Sequence, residues 1–270
     1  MSTYEKTSTN VSGSTPSLDV LRMGSGPGLV LAHGAGGDIL SNFGPILPGL
    51  SENFTVVGPN FPGSGGSSGA NSRLDLDSLA DSLVASGVQC GLDSFALLGY
   101  SMGAPVAVRA AARHPTRVTA LVLTAGFAYA NPRMRLAVGI WKEILSSGDL
   151  EKLSSYLFLL GVGAQFADRL SEDQLRGILS LAEKSSPPGA KDQLELIDRI
   201  DVRDDLESIS VPTLVISTQY DFLVSPGHHH ELTELIPQAQ MVEIASGHFV
   251  YAERSTEWFE TIQGFLGSVY

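Results

Sequence analysis

Cysteine is almost missing from this chain of 270 residues, which has one, Cys90. A single thiol closes no internal disulfide, and without a cysteine cluster there is no thiolate framework for zinc. Long apolar runs are missing too. The longest, over 118–130, falls short of the roughly 18 residues that a membrane-spanning helix needs. Residues 1–17 are mostly Ser, Thr and charged groups where a signal peptide would carry an apolar segment, and they read as a flexible tail. Basic residues are few, with 17 Lys plus Arg against 29 Asp plus Glu, a formal net charge of −12. That balance repels phosphate backbones and anionic membrane surfaces, so neither nucleic acid nor membrane is an expected partner. A reducing, cytoplasmic location is expected.

Apolar residues make up 43% of the chain and charged residues 17%, which excludes a disordered polymer. A chain of this length buries about three quarters of its unfolded surface and has room for one large α/β domain. Short apolar runs over 18–23, 29–32, 54–57, 94–98, 118–124, 213–217 and 240–244 read as strands. Helical patterns over 74–88, 102–113, 229–236 and 256–265 separate several of them. Continuous apolar strands divided by helices predict a mostly parallel central sheet covered on both faces. Residues 128–205 break the rhythm, with helical patterns over 133–145, 150–160, 172–181 and 192–200 and no strand. The expected organisation is a core over 18–127 and 206–270 with an inserted helical lid over 128–205.

Two glycine-rich segments invite functional readings. Gly24-Ser25-Gly26-Pro27-Gly28 opens a strand, whereas a dinucleotide site needs its glycines after a strand and opening a helix. Gly99-Tyr100-Ser101-Met102-Gly103 is different. It follows an apolar strand and precedes an Ala-rich helix, and a serine on so tight a turn needs small neighbours because the backbone is strained and crowded. The helix that follows aims its first N–H groups at any anion developing beside it.

With this motif in its strand–turn–helix setting, the chain resembles the α/β-hydrolase fold family from residue 18 onward. In that family the triad runs Ser, acid, His along the chain. The resemblance places the acid at Asp221, past the strand over 213–217, and the base at His248 in Ser246-Gly247-His248-Phe249. The chemistry requires such a set, since a serine hydroxyl is a poor nucleophile until an imidazole takes its proton. The imidazole needs a carboxylate to fix its tautomer and stabilise its charged form. The resemblance also implies an oxyanion hole from the N–H of Met102 and that of Ala35, with Gly36 as the alternative, in His33-Gly34-Ala35-Gly36-Gly37. His33 is expected to brace that loop and His114 to end a helix. His228, His229 and His230 are expected to form a solvated helix start, because consecutive helical residues cannot all grip one ion. The segment Pro62-Gly63-Ser64-Gly65-Gly66-Ser67 resembles the family's P-G-x-G-x-S run, with Asn60 where the family usually has Asp.

Serine at 101 argues against relatives that use a carboxylate nucleophile, and the residues fit two-step acyl transfer. The expected reaction is cleavage of an ester, thioester or lactone of a small, largely apolar molecule. No cofactor and no metal are expected, and the chain is expected as a monomer or homodimer. Candidate substrate-binding residues are Phe127 and Trp141, with Tyr156, Phe158, Leu159, Leu160 and Phe166 as further candidate walls. The same triad also serves C–C bond hydrolysis, perhydrolysis, lyase or cyclisation chemistry. Bacterial members resembling this chain often act in secondary metabolism, and a non-enzymatic small-molecule receptor is the third alternative.

Overall fold

The computed structural model describes residues 5–9, 17–182 and 186–270. Among these, eight strands form one sheet: β1 (Glu5–Thr9), β2 (Leu18–Met23), β3 (Gly28–Ala32), β4 (Thr55–Pro59), β5 (Phe95–Tyr100), β6 (Val118–Thr124), β7 (Thr213–Thr218) and β8 (Ala239–Ile244). Their order is β1-β2-β4-β3-β5-β6-β7-β8. β1 and β2 run antiparallel to their neighbours, and the remaining pairings are parallel. Seven of these strands coincide with the apolar runs of the sequence. β1 does not. It lies inside the segment expected to be a tail, with Glu5 paired to Arg22 and Thr9 to Leu18. Its sequence, Glu-Lys-Thr-Ser-Thr, has no apolar residue, so the period-two signal of a half-buried strand never arises. The rest of the expected tail, 1–4 and 10–16, lies outside the described residues.

Successive side chains of a strand point to opposite faces, and the core divides accordingly. One face carries Val30, Val57, Leu97, Leu121 and Val215 beneath the helices Leu76–Gln89 and Gly103–Arg113. The other carries Leu31, Val56, Leu98, Val122 and Ile216 against Phe43, Leu50 and Trp258. Both sets are buried, which is why the inner strands read as unbroken apolar runs rather than alternating ones.

Helix Gly103–Arg113 lies very close to the sheet. A Cβ placed on Gly103 would sit 1.9 Å from the carbonyl oxygen of Ala32, and backbone cannot yield as a flexible side chain can. Gly103→Ala is therefore expected to destabilise the fold by more than about 3 kcal/mol, the upper end of ordinary overpacking. Urea unfolding of the variant checks this, and a midpoint equal to that of the parent contradicts the close approach.

Between β6 and β7 the chain forms the helices Pro132–Ser147, Leu150–Gly161, Ala164–Ala167, Glu172–Ala182 and Ala190–Ile197. The two ends of this insert meet. Tyr129 bridges Asp201, and the Val202 N–H donates to the Ala128 carbonyl at 3.0 Å. Arg109 fastens this neck to the core, its guanidinium spanning Asp205 at 2.6 Å and Asp77 at 2.5 Å.

Candidate active site

In open α/β sheets, ligands gather at the carboxyl ends of the parallel strands. Here the loops after β3, β5, β7 and β8 converge there. β5 ends at Tyr100, and Ser101 turns sharply into the next helix with φ at 54°. A left-handed serine costs on the order of 1–3 kcal/mol unless its surroundings hold it. Two bonds do so: the Ser101 N–H donates to the Thr124 carbonyl at 3.0 Å, and the Ser101 carbonyl accepts from the Ala104 N–H at 3.0 Å.

The structure brings Ser101, His248 and Asp221 into one hydrogen-bonded line. Ser101 Oγ lies 3.0 Å from His248 Nε2, and His248 Nδ1 lies 2.6 Å from Asp221 Oδ2. The carboxylate offers only acceptors, so Nδ1 carries the proton and Nε2 is left to accept from the serine hydroxyl. All three residues are buried. Asp221 is held from every side. Its Oδ1 accepts from the Leu223 and Val224 N–H groups at 2.9 and 2.8 Å, and its Oδ2 also accepts from Thr218 Oγ1 at 2.9 Å.

The His248 loop is fixed just as firmly by groups that sequence reading did not single out. The Tyr100 hydroxyl donates to the His248 carbonyl at 2.9 Å. Glu253 accepts from the Gly247 N–H at 3.1 Å and from the Gly163 N–H at 3.0 Å, and burial raises its carboxyl above the usual range. The Phe249 N–H donates to the Gly161 carbonyl at 2.9 Å, so the insert and the histidine loop are joined.

The loop after β3 lies beside Ser101. His33 donates from Nδ1 to the Gly34 carbonyl and accepts at Nε2 from the Phe61 N–H, both at 2.8 Å, so it braces the loop as expected. The Gly34 N–H donates to Asn42 Oδ1 at 2.8 Å, and the Gly36 N–H donates to Gln193 Oε1 at 2.9 Å. Between them, the Ala35 N–H has no partner among the described residues, and neither does that of Met102. The alternative donor Gly36 is thus already engaged. The adjoining loop explains the substituted Asn60. Its Nδ2 donates to Asp19 at 3.0 Å while its Oδ1 accepts from the Ile39 N–H at 2.9 Å, a pairing that an aspartate could not make with a second carboxylate.

Above Ser101 is a cavity of about 170 Å³ lined by the 34–37 loop, Ser101, His248 and the apolar groups Met134, Val138, Trp141, Leu153 and Leu157. Trp141, a candidate from the sequence, lines it with its ring over Gly36. Phe127 does not. It is fully buried in the core beneath the insert, its ring edge-on to His228 at 6.4 Å. Nor do Tyr156, Phe158, Leu159, Leu160 or Phe166 line the cavity. On the helix Leu150–Gly161 it is Leu153, Ser154 and Leu157 that face it, three and four residues apart on one stripe, while Leu159 points to solvent with 70% exposure.

The histidine run at 228–230 is another correction. His228 and His229 are buried rather than solvated, because Pro226 starts the helix and its first turn faces β7, where His229 Nδ1 meets Ser217 Oγ at 3.1 Å. Burial lowers the pKa of both His33 and His229 from 6.5 to about 4. Between those values the unfolded chain binds protons that the folded chain excludes. Stability from each is therefore whole above the unfolded value and is lost as the pH falls toward the folded one, on the order of 3 kcal/mol apiece. Urea titrations from pH 7 to pH 4.5 should show that decline, and His229→Leu should remove its share of the slope. An equal slope in the variant contradicts the burial of a neutral His229.

A family model described as the alpha/beta hydrolase fold matches residues 27–255. The chain belongs to that family. This α/β-hydrolase is 31% identical, over 90% of its length and 92% of the relative's, to the pyrrolizixenacetamide deacetylase of Xenorhabdus hominickii. It is 30% identical to the pimeloyl-[acyl-carrier protein] methyl ester esterase of Aeromonas hydrophila, over 93% of its own length and 100% of the relative's. Among solved structures it resembles the enol-lactonase of Burkholderia xenovorans with a TM-score of 0.81 at 24% identity, covering 93% of this chain and 97% of that one. At that identity the likeness shows the shared fold. No helix among the described residues is long and apolar enough to cross a membrane.

Proposed function

We propose that this enzyme is a serine hydrolase cleaving a carboxylic ester, thioester or lactone of a small, largely apolar molecule through an acyl-enzyme on Ser101. The observation that carries this reading is the buried Ser101–His248–Asp221 line with its hydrogen bonds of 3.0 and 2.6 Å. His248 takes the serine proton as Ser101 attacks the carbonyl carbon, and Asp221 stabilises the imidazolium that forms. The proton then passes to the leaving group, and water clears the acyl group by the reverse sequence. The N–H groups of Ala35 and Met102 are suited to hold the oxyanion, and removal of one such donor typically costs about 10²–10³ in rate. In this reading the insert over 128–205 serves as the lid, covering the acyl site.

Cavity size supports a small acyl portion. At about 170 Å³ it is close to the roughly 150 Å³ of an apolar cavity that accepts benzene. Acetyl and butyryl esters of p-nitrophenol should be cleaved with kcat/KM at least about tenfold above the octanoyl ester, since an acyl chain too long for the cavity enters only by displacing its wall. Trp141→Ala should narrow that gap. Equal rates across the series in the parent enzyme contradict the proposed acyl site.

The first relative favours a second reading within the same chemistry. Its name gives deacetylation of an acetamide, and a short acyl group on nitrogen would meet the same serine and the same small cavity. Anilide and p-nitrophenyl acetates assayed side by side separate the amide from the ester preference.

A further inference from the structure

Gln193 belongs to the insert, on the helix Ala190–Ile197, yet it is fully buried between two loops of the core. Its Oε1 accepts the Gly36 N–H at 2.9 Å, and its Nε2 donates to Ser64 Oγ at 2.9 Å. Both ends of the amide are used, so its orientation is fixed by its partners. The helix is set at its start as well. The Gly189 N–H donates to the Gly63 carbonyl at 3.0 Å, and a Cβ on Gly63 would fall 2.5 Å from the Gly189 Cα. Insert and core therefore touch backbone to backbone one turn before Gln193.

The turn that Gln193 holds adjoins Ser101. A Cβ on Gly34 would lie 3.1 Å from Ser101 Cβ, and residues 34–37 line the cavity. Asn42 takes the amide on one side of Ala35 and Gln193 takes the amide on the other. Rotation of either flanking peptide would re-aim the Ala35 N–H.

We infer that Gln193 is a positioning residue, fixing the turn so that the Ala35 N–H meets the oxyanion formed at Ser101. This rests on the acyl transfer proposed above. The insert then does more than cover the cavity, since one of its side chains completes the oxyanion site, and an insert lifted away leaves that donor unsupported. A donor misplaced by about 1 Å can cost up to about 10²-fold in rate without weakening ground-state binding.

The test uses p-nitrophenyl acetate as substrate and a trifluoromethyl ketone as a mimic of the tetrahedral adduct. Gln193→Met keeps the length of the side chain and removes its acceptor and donor. It should lower kcat by about 10- to 100-fold with KM within about threefold, and weaken the ketone by a similar factor. Ser64→Ala removes the partner at the other end of the amide while Gly36 keeps its acceptor, and should lower kcat by a smaller factor than Gln193→Met, with KM again within about threefold. Wild-type kcat in a folded Gln193→Met overturns the inference, as does a rise in KM that accounts for the whole loss. If neither Gln193→Met nor Gln193→Leu folds, Gln193 is a folding residue and positioning is overturned. A parent enzyme that fails to cleave the ester overturns the acyl-transfer reading itself, a separate result.

Discussion

Ser101→Ala is expected to lower kcat on p-nitrophenyl acetate by about 10⁴-fold or more while KM stays within a few-fold. The substitution removes one oxygen and leaves the surroundings in place. His248 keeps its bond to Asp221, and the Ala35 and Met102 N–H groups keep their positions, so substrate still binds. What is lost, in the proposed mechanism, is the atom that attacks. Stability should change little, within about 1 kcal/mol, because alanine bears the same positive φ of 54° and the bonds to Thr124 and Ala104 are backbone bonds. A variant retaining more than a few per cent of activity would place the reaction elsewhere than on Ser101.

Asp221→Asn has the second largest expected effect, a fall in kcat of about 10⁴-fold with the fold intact. The direction follows from which oxygen is held by what. Oδ1 accepts two backbone N–H groups, from Leu223 and Val224, so an asparagine must turn its own oxygen there and its NH₂ toward His248. The imidazole is then forced to accept at Nδ1 and to carry its proton at Nε2, where it faces Ser101 Oγ. A base already protonated on that side cannot take the serine proton. Asp221→Ala, which imposes no tautomer, should be less damaging than the asparagine variant near neutral pH. The opposite ranking contradicts this geometry.

The parallel core is legible in the sequence because strands buried on both faces leave unbroken apolar runs, and Ser101 because its motif stands between such a run and a helix. β1 is illegible for the converse reason, having no apolar residue at all. The cavity wall is hidden because composition does not carry direction. Of the aromatic candidates Trp141 does line the cavity, but Tyr156, Phe158 and Phe166 do not, Leu153 and Leu157 face it instead, and Phe127 packs beneath it. His228 and His229 mislead because consecutive polar residues suggest solvent, and the packing of the helix start on β7 lies outside the local pattern. Gln193 does leave a trace. Ala190, Leu194 and Ile197 mark the buried stripe of their helix, and Gln193 falls within it, an uncharged amide at a core position. A buried polar group must find partners, and these are Gly36 and Ser64.

Intact mass after incubation with a fluorophosphonate tests an activated Ser101 most directly. The reagent needs a serine deprotonated by its neighbour, and it reports the attack itself whatever the natural substrate is. One adduct on the parent enzyme, located to Ser101 and missing from Ser101→Ala, is the predicted result. No adduct on the parent, or an equal adduct on the alanine variant, would contradict it.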